Sequence, residues 1–110
     1  MKPEDIESQI RVNYIGAANT TRILLPAMME SKTRHCVVFI SSVAGQVGIY
    51  GYGAYSASKF ALRGLAECLR MEASNHDVTI TLAFPADTQT PGFEVNLDFF
   101  SPVGISLSFV

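Results

Sequence analysis

Apolar positions in the first part of the chain recur at helical spacing. Ile6, Ile10, Ala17, Thr21, Leu24 and Met28 lie three, four or seven residues apart, which predicts a long helix to about Met29 with one buried stripe. Pro3 followed by Glu4 and Asp5 marks its start, because proline is tolerated at the first helical position and carboxylates suit the positive end of the helix dipole. Pro26 is expected to bend this helix. A polar break over 32–35 precedes CVVFIS (36–41), a short β-branched run that reads as a buried strand. Gly45, Gly48, Gly51 and Gly53 come next and predict a loop over 43–53. From Tyr55 to about Ala73, the positions Ala57, Ala61, Leu65, Cys68 and Leu69 mark a second helical face, and VTITLAF (78–84) reads as a second strand ended by Pro85. Helix, strand, glycine-rich loop, helix, strand is the alternation of an α/β parallel sheet, in which sites form at the carboxyl ends of strands.

Composition narrows the class. The chain is 48% hydrophobic and 16% charged, too apolar for a disordered segment and suited to elements buried on more than one side. Its 110 residues form at most one small domain, fewer than a doubly wound dinucleotide-binding sheet needs. A net charge of −2 leaves no basic stripe for nucleic acid. Cys36 and Cys68 have no CxxC context or neighbouring histidine cluster, so both are expected to be buried free thiols and no metal site is expected. His35 and His76 are expected at the solvated surface. The start, MKPEDIESQI, lacks the charged-then-apolar pattern of a signal peptide, and no apolar stretch reaches the length of a membrane span.

Chemistry concentrates around Tyr55 and Lys59, four residues apart at a helix start and therefore able to approach on one face. A free tyrosine titrates near pH ~10, and a neighbouring ammonium favours the phenolate, which makes such a tyrosine usable as an acid or base. The YxxxK spacing alone is weak, since ordinary composition produces one by chance in about one in five chains of this size. Taken alone, the pair reads equally as a helix-surface pair. Ser42 raises the specificity. It ends the first strand and lies across the glycine-rich turn from the tyrosine, where a hydroxyl can donate to a carbonyl oxygen and to the alkoxide that develops on it. The bland reading of Ser42 is a turn or cap serine, the role expected for Ser41, Ser56 and Ser58.

ISSVAG (40–45) followed by YSASKFALRGLAE (55–67) resembles the active-site segment of the short-chain dehydrogenase/reductase family. The resemblance implies a partial Rossmann-like, doubly wound parallel sheet over residues 1–97. It implies Tyr55 as proton donor, Lys59 as the group that assists it and binds the nicotinamide ribose, and Ser42 on the substrate carbonyl. In VNYIG (12–16), Asn13 matches the asparagine that holds a proton-relay water against the lysine; otherwise it is a helix-interior asparagine bonded to backbone at a bend. Within the family, GQVGIYGYGAYSASKF (45–60) and FPADTQTPGF (84–93) resemble the branch that reduces sphingoid-base ketones. That branch implies NADPH as cofactor, 3-ketodihydrosphingosine as substrate, and attachment to the endoplasmic reticulum through segments other than these. By position, Pro85, Thr88 and Thr90 fall on the cofactor side. Val47, Ile49, Tyr50 and Tyr52 either line a long-chain pocket or only pack the loop down.

The family's glycine-rich cofactor turn has no counterpart in the sequence, and the loop glycines do not form GxGxxG. The chain is accordingly expected to be a partial domain with little NADPH affinity of its own. Residues 98–110, DFFSPVGISLSFV, follow no family pattern and have no assigned role. Three functional readings stay open: a sphingoid-ketone reductase, a reductase of another apolar ketone such as a steroid, and a non-catalytic remnant that pairs with a full-length relative. Homo-oligomerisation through the helix from Tyr55 to Ala73, which relatives often bury in dimers, is a further expectation.

Overall fold

The structure, a computed structural model, describes residues 1–85. Thr88, Thr90 and the 98–110 tail lie outside the described residues, as does the expected boundary at 97.

The amino-terminal helical region is two α-helices joined by a π-helical turn: α1 over Pro3–Ile10, the turn over Arg11–Ile15, and α2 over Gly16–Glu30. Pro3 occupies the first turn of α1, and the Lys2 N–H donates to the Asp5 carboxylate at 3.0 Å, which secures the helix start. The interruption falls at 11–15, where the Gly16 N–H reaches back five residues to the Arg11 carbonyl; Pro26 sits within the continuous α2. The expected stripe is corrected at Leu24, which is 53% exposed; Leu25 is buried in its place, four residues after Thr21 and so on the same helical face. Thr21 is buried, Ala17 and Met28 are half-buried, and Ile6 is exposed.

The two strands, β1 over His35–Ile40 and β2 over Val78–Ala83, pair in parallel from His35 opposite Val78 to Ile40 opposite Ala83. Helix α3, Gly53–Glu72, makes the crossover between them. Phe39, Val78 and Ile80 from the sheet meet Leu62, Ala66, Leu69 and Ala73 from α3 and Leu25 from α2 in one core. Burying a side chain such as Leu62, 2% exposed, is worth about 1.5–3 kcal/mol. This strand–helix–strand unit with a preceding helix is a partial Rossmann-like α/β fold, the class expected from the alternation of patterns.

Other expectations need correction. The buried face of α3 runs through Ala54, Ser56, Ser58, Leu62, Ala66 and Leu69; Ala57 and Cys68 are exposed, and Ala61 and Leu65 are half-buried. The reason is that α3 packs on two neighbours: Ser58 bonds Asn13 of the π turn, while Leu62, Ala66 and Leu69 join the core with the strands, so the buried positions do not follow one apolar stripe. Both cysteines are exposed, not buried. Cys36 projects with Val38 and Ile40 from the sheet face opposite α3, and those two neighbours are 51% and 56% exposed. His76 is exposed and its Nδ1 lies 3.0 Å from the Met29 carbonyl. His35 is half-buried, with Nε2 3.2 Å from the Thr33 hydroxyl.

Candidate active site at the carboxyl end of the first strand

Strand β1 ends against the first turns of α3, and side-chain bonds to backbone carbonyls link the two. The Ser41 N–H donates to the Ala83 carbonyl at 2.8 Å, carrying the sheet pairing one residue past β1. The buried Ser41 hydroxyl donates to the Lys59 carbonyl at 3.4 Å. Ser42 then caps a single 3-10 turn over Val43–Gly45, with extended dihedrals (φ −162°, ψ 164°) and its hydroxyl oxygen accepting from the Ala44 N–H at 3.2 Å. That bond uses the oxygen as an acceptor, so the hydroxyl proton remains available to donate. Gly45 packs against both elements: a Cβ there would run into the Ser41 hydroxyl and sit 3.1 Å from the Lys59 Cβ and carbonyl oxygen.

Tyr55 and Lys59 face one another one turn apart on α3. The Lys59 ammonium lies 5.6 Å from the centre of the Tyr55 ring, within cation–π range. It donates to the Ile40 carbonyl at 2.9 Å, which brings it to the strand end two residues before Ser42. Partial burial penalises its charged form and holds its pKa below the ordinary lysine value. The Tyr52 ring meets that of Tyr55 edge-on, with centroids 6.0 Å apart at 63°. Ser42 and Tyr55 do not hydrogen-bond to each other among the described residues.

Asn13 lies in the π turn. Its Nδ2 donates to Gln9 Oε1 at 2.9 Å and to the Ser58 hydroxyl at 3.0 Å, and Ser58 donates in turn to the Tyr55 carbonyl at 2.7 Å. Its side chain thus bonds side chains, not the backbone of a bend. Of the loop residues, Tyr50 and Val47 are 72% and 55% exposed, while Ile49 and Tyr52 are half-buried, and Pro85 is exposed at the end of the described residues. Gly51, at φ 82°, makes the turn that returns the loop to α3. Among the described residues no group of three or more His, Cys, Asp or Glu is placed to hold a metal, and no helix is long and apolar enough to cross a membrane.

Sequence reasoning passed over Ser41, Gly45, Gln9 and Ser58. A serine three residues after Tyr55 signals only a local back-bond to the helix; the reach of Ser58 to Asn13 is a tertiary contact with no linear signature. Ser41, Ser56 and Ser58, expected as turn or cap residues, are all buried; Ser56 and Ser58 lie within α3, and Ser41 continues the pairing of β1. The Ser56 hydroxyl has no hydrogen-bond partner among the described residues.

A family model described as short chain dehydrogenase matches residues 1–98. The chain belongs to the short-chain dehydrogenase family. A 3-dehydrosphinganine reductase of Arabidopsis thaliana is 52% identical to it over 94 residues, covering 84% of this chain and 29% of the relative. The chain spans less than a third of the length of the curated relatives it matches. Among solved structures, a short-chain dehydrogenase of Burkholderia cenocepacia in complex with NADP is 27% identical, with a TM-score of 0.75 over 82% of this chain and 37% of its own. One from Burkholderia phymatum in complex with NAD is 25% identical, with a TM-score of 0.80 over the whole of this chain and 40% of its own. The stretch of this short-chain dehydrogenase chain that the family model matches contains Asn13, Ser42, Tyr55 and Lys59.

Proposed function

We propose that these residues form the proton-delivery half of an NADPH-dependent reductase that converts 3-ketodihydrosphingosine to dihydrosphingosine in sphingolipid biosynthesis, acting at the endoplasmic reticulum membrane. The observation that carries the chemistry is the Lys59 ammonium held 5.6 Å from the Tyr55 ring centre at the end of β1. The substrate class rests on the 52% identity to the Arabidopsis 3-dehydrosphinganine reductase.

NADPH, when bound, supplies a hydride to the carbonyl carbon. Tyr55 donates its phenolic proton to the carbonyl oxygen, which completes the secondary alcohol. The ammonium of Lys59 stabilises the phenolate left behind. Ser42 donates its hydroxyl proton in a hydrogen bond to the same oxygen as charge develops on it. A lysine ammonium has three donors, and with one on the Ile40 carbonyl Lys59 retains two for the hydroxyls of a nicotinamide ribose, so the donor set fits that end of the cofactor. Asn13 holds a relay water through which Tyr55 is reprotonated by way of Lys59. Pro85, Thr88 and Thr90 contact the cofactor, and Val47, Tyr50 and Tyr52 line the long-chain pocket, in keeping with the exposure of Val47 and Tyr50. Copies pair through α3, where the apolar groove lined by Pro26, Met29 and Leu65 lies between α2 and α3.

The test is NADPH oxidation with 3-ketodihydrosphingosine, using the polypeptide in which these residues follow the family's cofactor-binding strands. Tyr55→Phe is expected to lower turnover by at least a hundredfold; unchanged turnover would overturn the role of Tyr55. Steroid ketones serve as rival substrates, and a preference for them, or for NADH, corrects the substrate or cofactor. A non-catalytic remnant that pairs with a full-length relative is favoured by one observation, the exposed sheet face of Cys36, Val38 and Ile40. Co-purification with a full-length relative without any turnover would support that reading.

A further inference from the structure

Ser58 is the most deeply buried polar residue described, at 0% exposure. A serine within a helix ordinarily uses its hydroxyl on a carbonyl one turn back and presents the rest to solvent. Here the hydroxyl works in both directions. It donates to the Tyr55 carbonyl at 2.7 Å and accepts from Asn13 Nδ2 at 3.0 Å, 45 residues earlier in the chain. The carbonyl it reaches is the one to which helical geometry brings the Lys59 N–H, so one buried oxygen stands next to the backbone of both Tyr55 and Lys59.

The other end of the contact is the π-helical turn. A π turn is rare, and slippage to an α-helix turns later side chains by about 100°. Asn13 has two amide donors, and both are used as anchors: Gln9 Oε1 at 2.9 Å, within the same helical segment, and Ser58, on α3. Of the two bonds from Asn13, the one to Ser58 reaches the helix that carries Tyr55 and Lys59.

We propose that Ser58 is a positioning residue, a buried hydroxyl clamp that fixes the Asn13 turn against the start of α3 and thereby sets how Tyr55 and Lys59 are presented at the strand end. The inference rests on the reading of Tyr55 and Lys59 as the proton-delivery pair, but the clamp itself is measurable without turnover. Alanine at this position keeps the helix and removes only the hydroxyl, leaving the second Asn13 donor unsatisfied.

The first arm is amide hydrogen exchange on the full 110-residue chain for wild type, Ser58→Ala, Asn13→Ala and the double variant. Ser58→Ala is expected to speed exchange over residues 11–15 by about tenfold or more while β1 and β2 keep their protection, and the double variant is expected to match Asn13→Ala, which already removes the Ser58 bond along with the one to Gln9. Unchanged exchange at 11–15, a uniform rise across the chain, or additive effects overturns the clamp. Ser58→Cys, close in size but a weak donor, is expected to fall between wild type and Ser58→Ala, and it decides the question if the alanine variant does not fold. The second arm is ketone reduction by the polypeptide that includes the family's cofactor-binding strands. There Ser58→Ala is expected to lower kcat roughly ten- to a hundredfold with KM unchanged, with partial recovery in Ser58→Cys. Full kcat in Ser58→Ala overturns the positioning role. A wild type that reduces no ketone defeats the functional reading alone, because the exchange arm still decides the clamp.

Discussion

Replacing Gly45 with alanine tests the close approach that joins the strand end to α3. The new methyl group would run into the Ser41 hydroxyl and lie 3.1 Å from both the Cβ and the carbonyl oxygen of Lys59. Two of these three neighbours, the Lys59 atoms, belong to the body of α3 and cannot swing aside. The Ser41 hydroxyl can rotate, at the cost of its bond to the Lys59 carbonyl, which at 3.4 Å is long and weak. The main penalty is therefore the shift of the 3-10 turn from the helix, an overpacking cost of about 1–3 kcal/mol. Gly48→Ala is the matched control, because nothing lies within 4 Å of a Cβ there and Gly48 is not at positive φ. It is expected to be neutral or to stabilise by up to about 1 kcal/mol through loss of unfolded-state entropy. Urea unfolding of the full chain measures both, with the midpoint moving and the slope constant if only stability changes. Adding Ser41→Ala to Gly45→Ala is expected to recover only part of the loss, since the Lys59 contacts persist. Equal stability of Gly45→Ala and Gly48→Ala would refute the close approach.

Three further outcomes follow from the same geometry. Leu62→Ala, at a site 2% exposed, is expected to cost about 2–5 kcal/mol, whereas Ile23→Ala, at a site 66% exposed, should change stability by no more than about 0.5 kcal/mol in the same urea titration. Lys59 has its folded pKa depressed by burial, so the unfolded chain binds its proton more readily, and stability rises with pH from the depressed value up to the free-lysine value of about 10.4. Measured in a Tyr55→Phe background, to remove the neighbouring phenol, the difference in unfolding free energy between Lys59 and Lys59→Met should shift in favour of lysine across that window; a difference independent of pH would refute the depression. Isothermal titration of the 110-residue chain with NADPH is expected to detect no micromolar binding, because these residues contain no GxGxxG turn to receive a pyrophosphate.

Much of the site is local and could be read directly. Tyr55 and Lys59 share a helix face because they are four residues apart, and Ser42 falls just past β1 because the β-branched run stops at Ile40, so the placement of the three follows from spacing and residue type. The α/β alternation is equally a matter of short-range pattern, since each element announces its period within about one or two turns or a few strand residues. What could not be read depends on which surfaces meet. No propensity marks the π turn, from which Asn13 bonds a residue 45 positions away, and nothing local tells which of the adjacent leucines, Leu24 or Leu25, is the buried one. Ser58 and Ser41 read as turn or cap serines until α3 is packed against the π turn and the strand end, and Cys36 looks buried until β1 is seen to have one open face. The sequence by itself therefore determined the elements and singled out Ser42, Tyr55 and Lys59 as the candidate site, which depend on local backbone geometry and residue type. Only the tertiary structure decided which small polar residues lie between those elements and hold them in register, because a buried hydrogen bond is a property of two surfaces in contact and not of either segment alone.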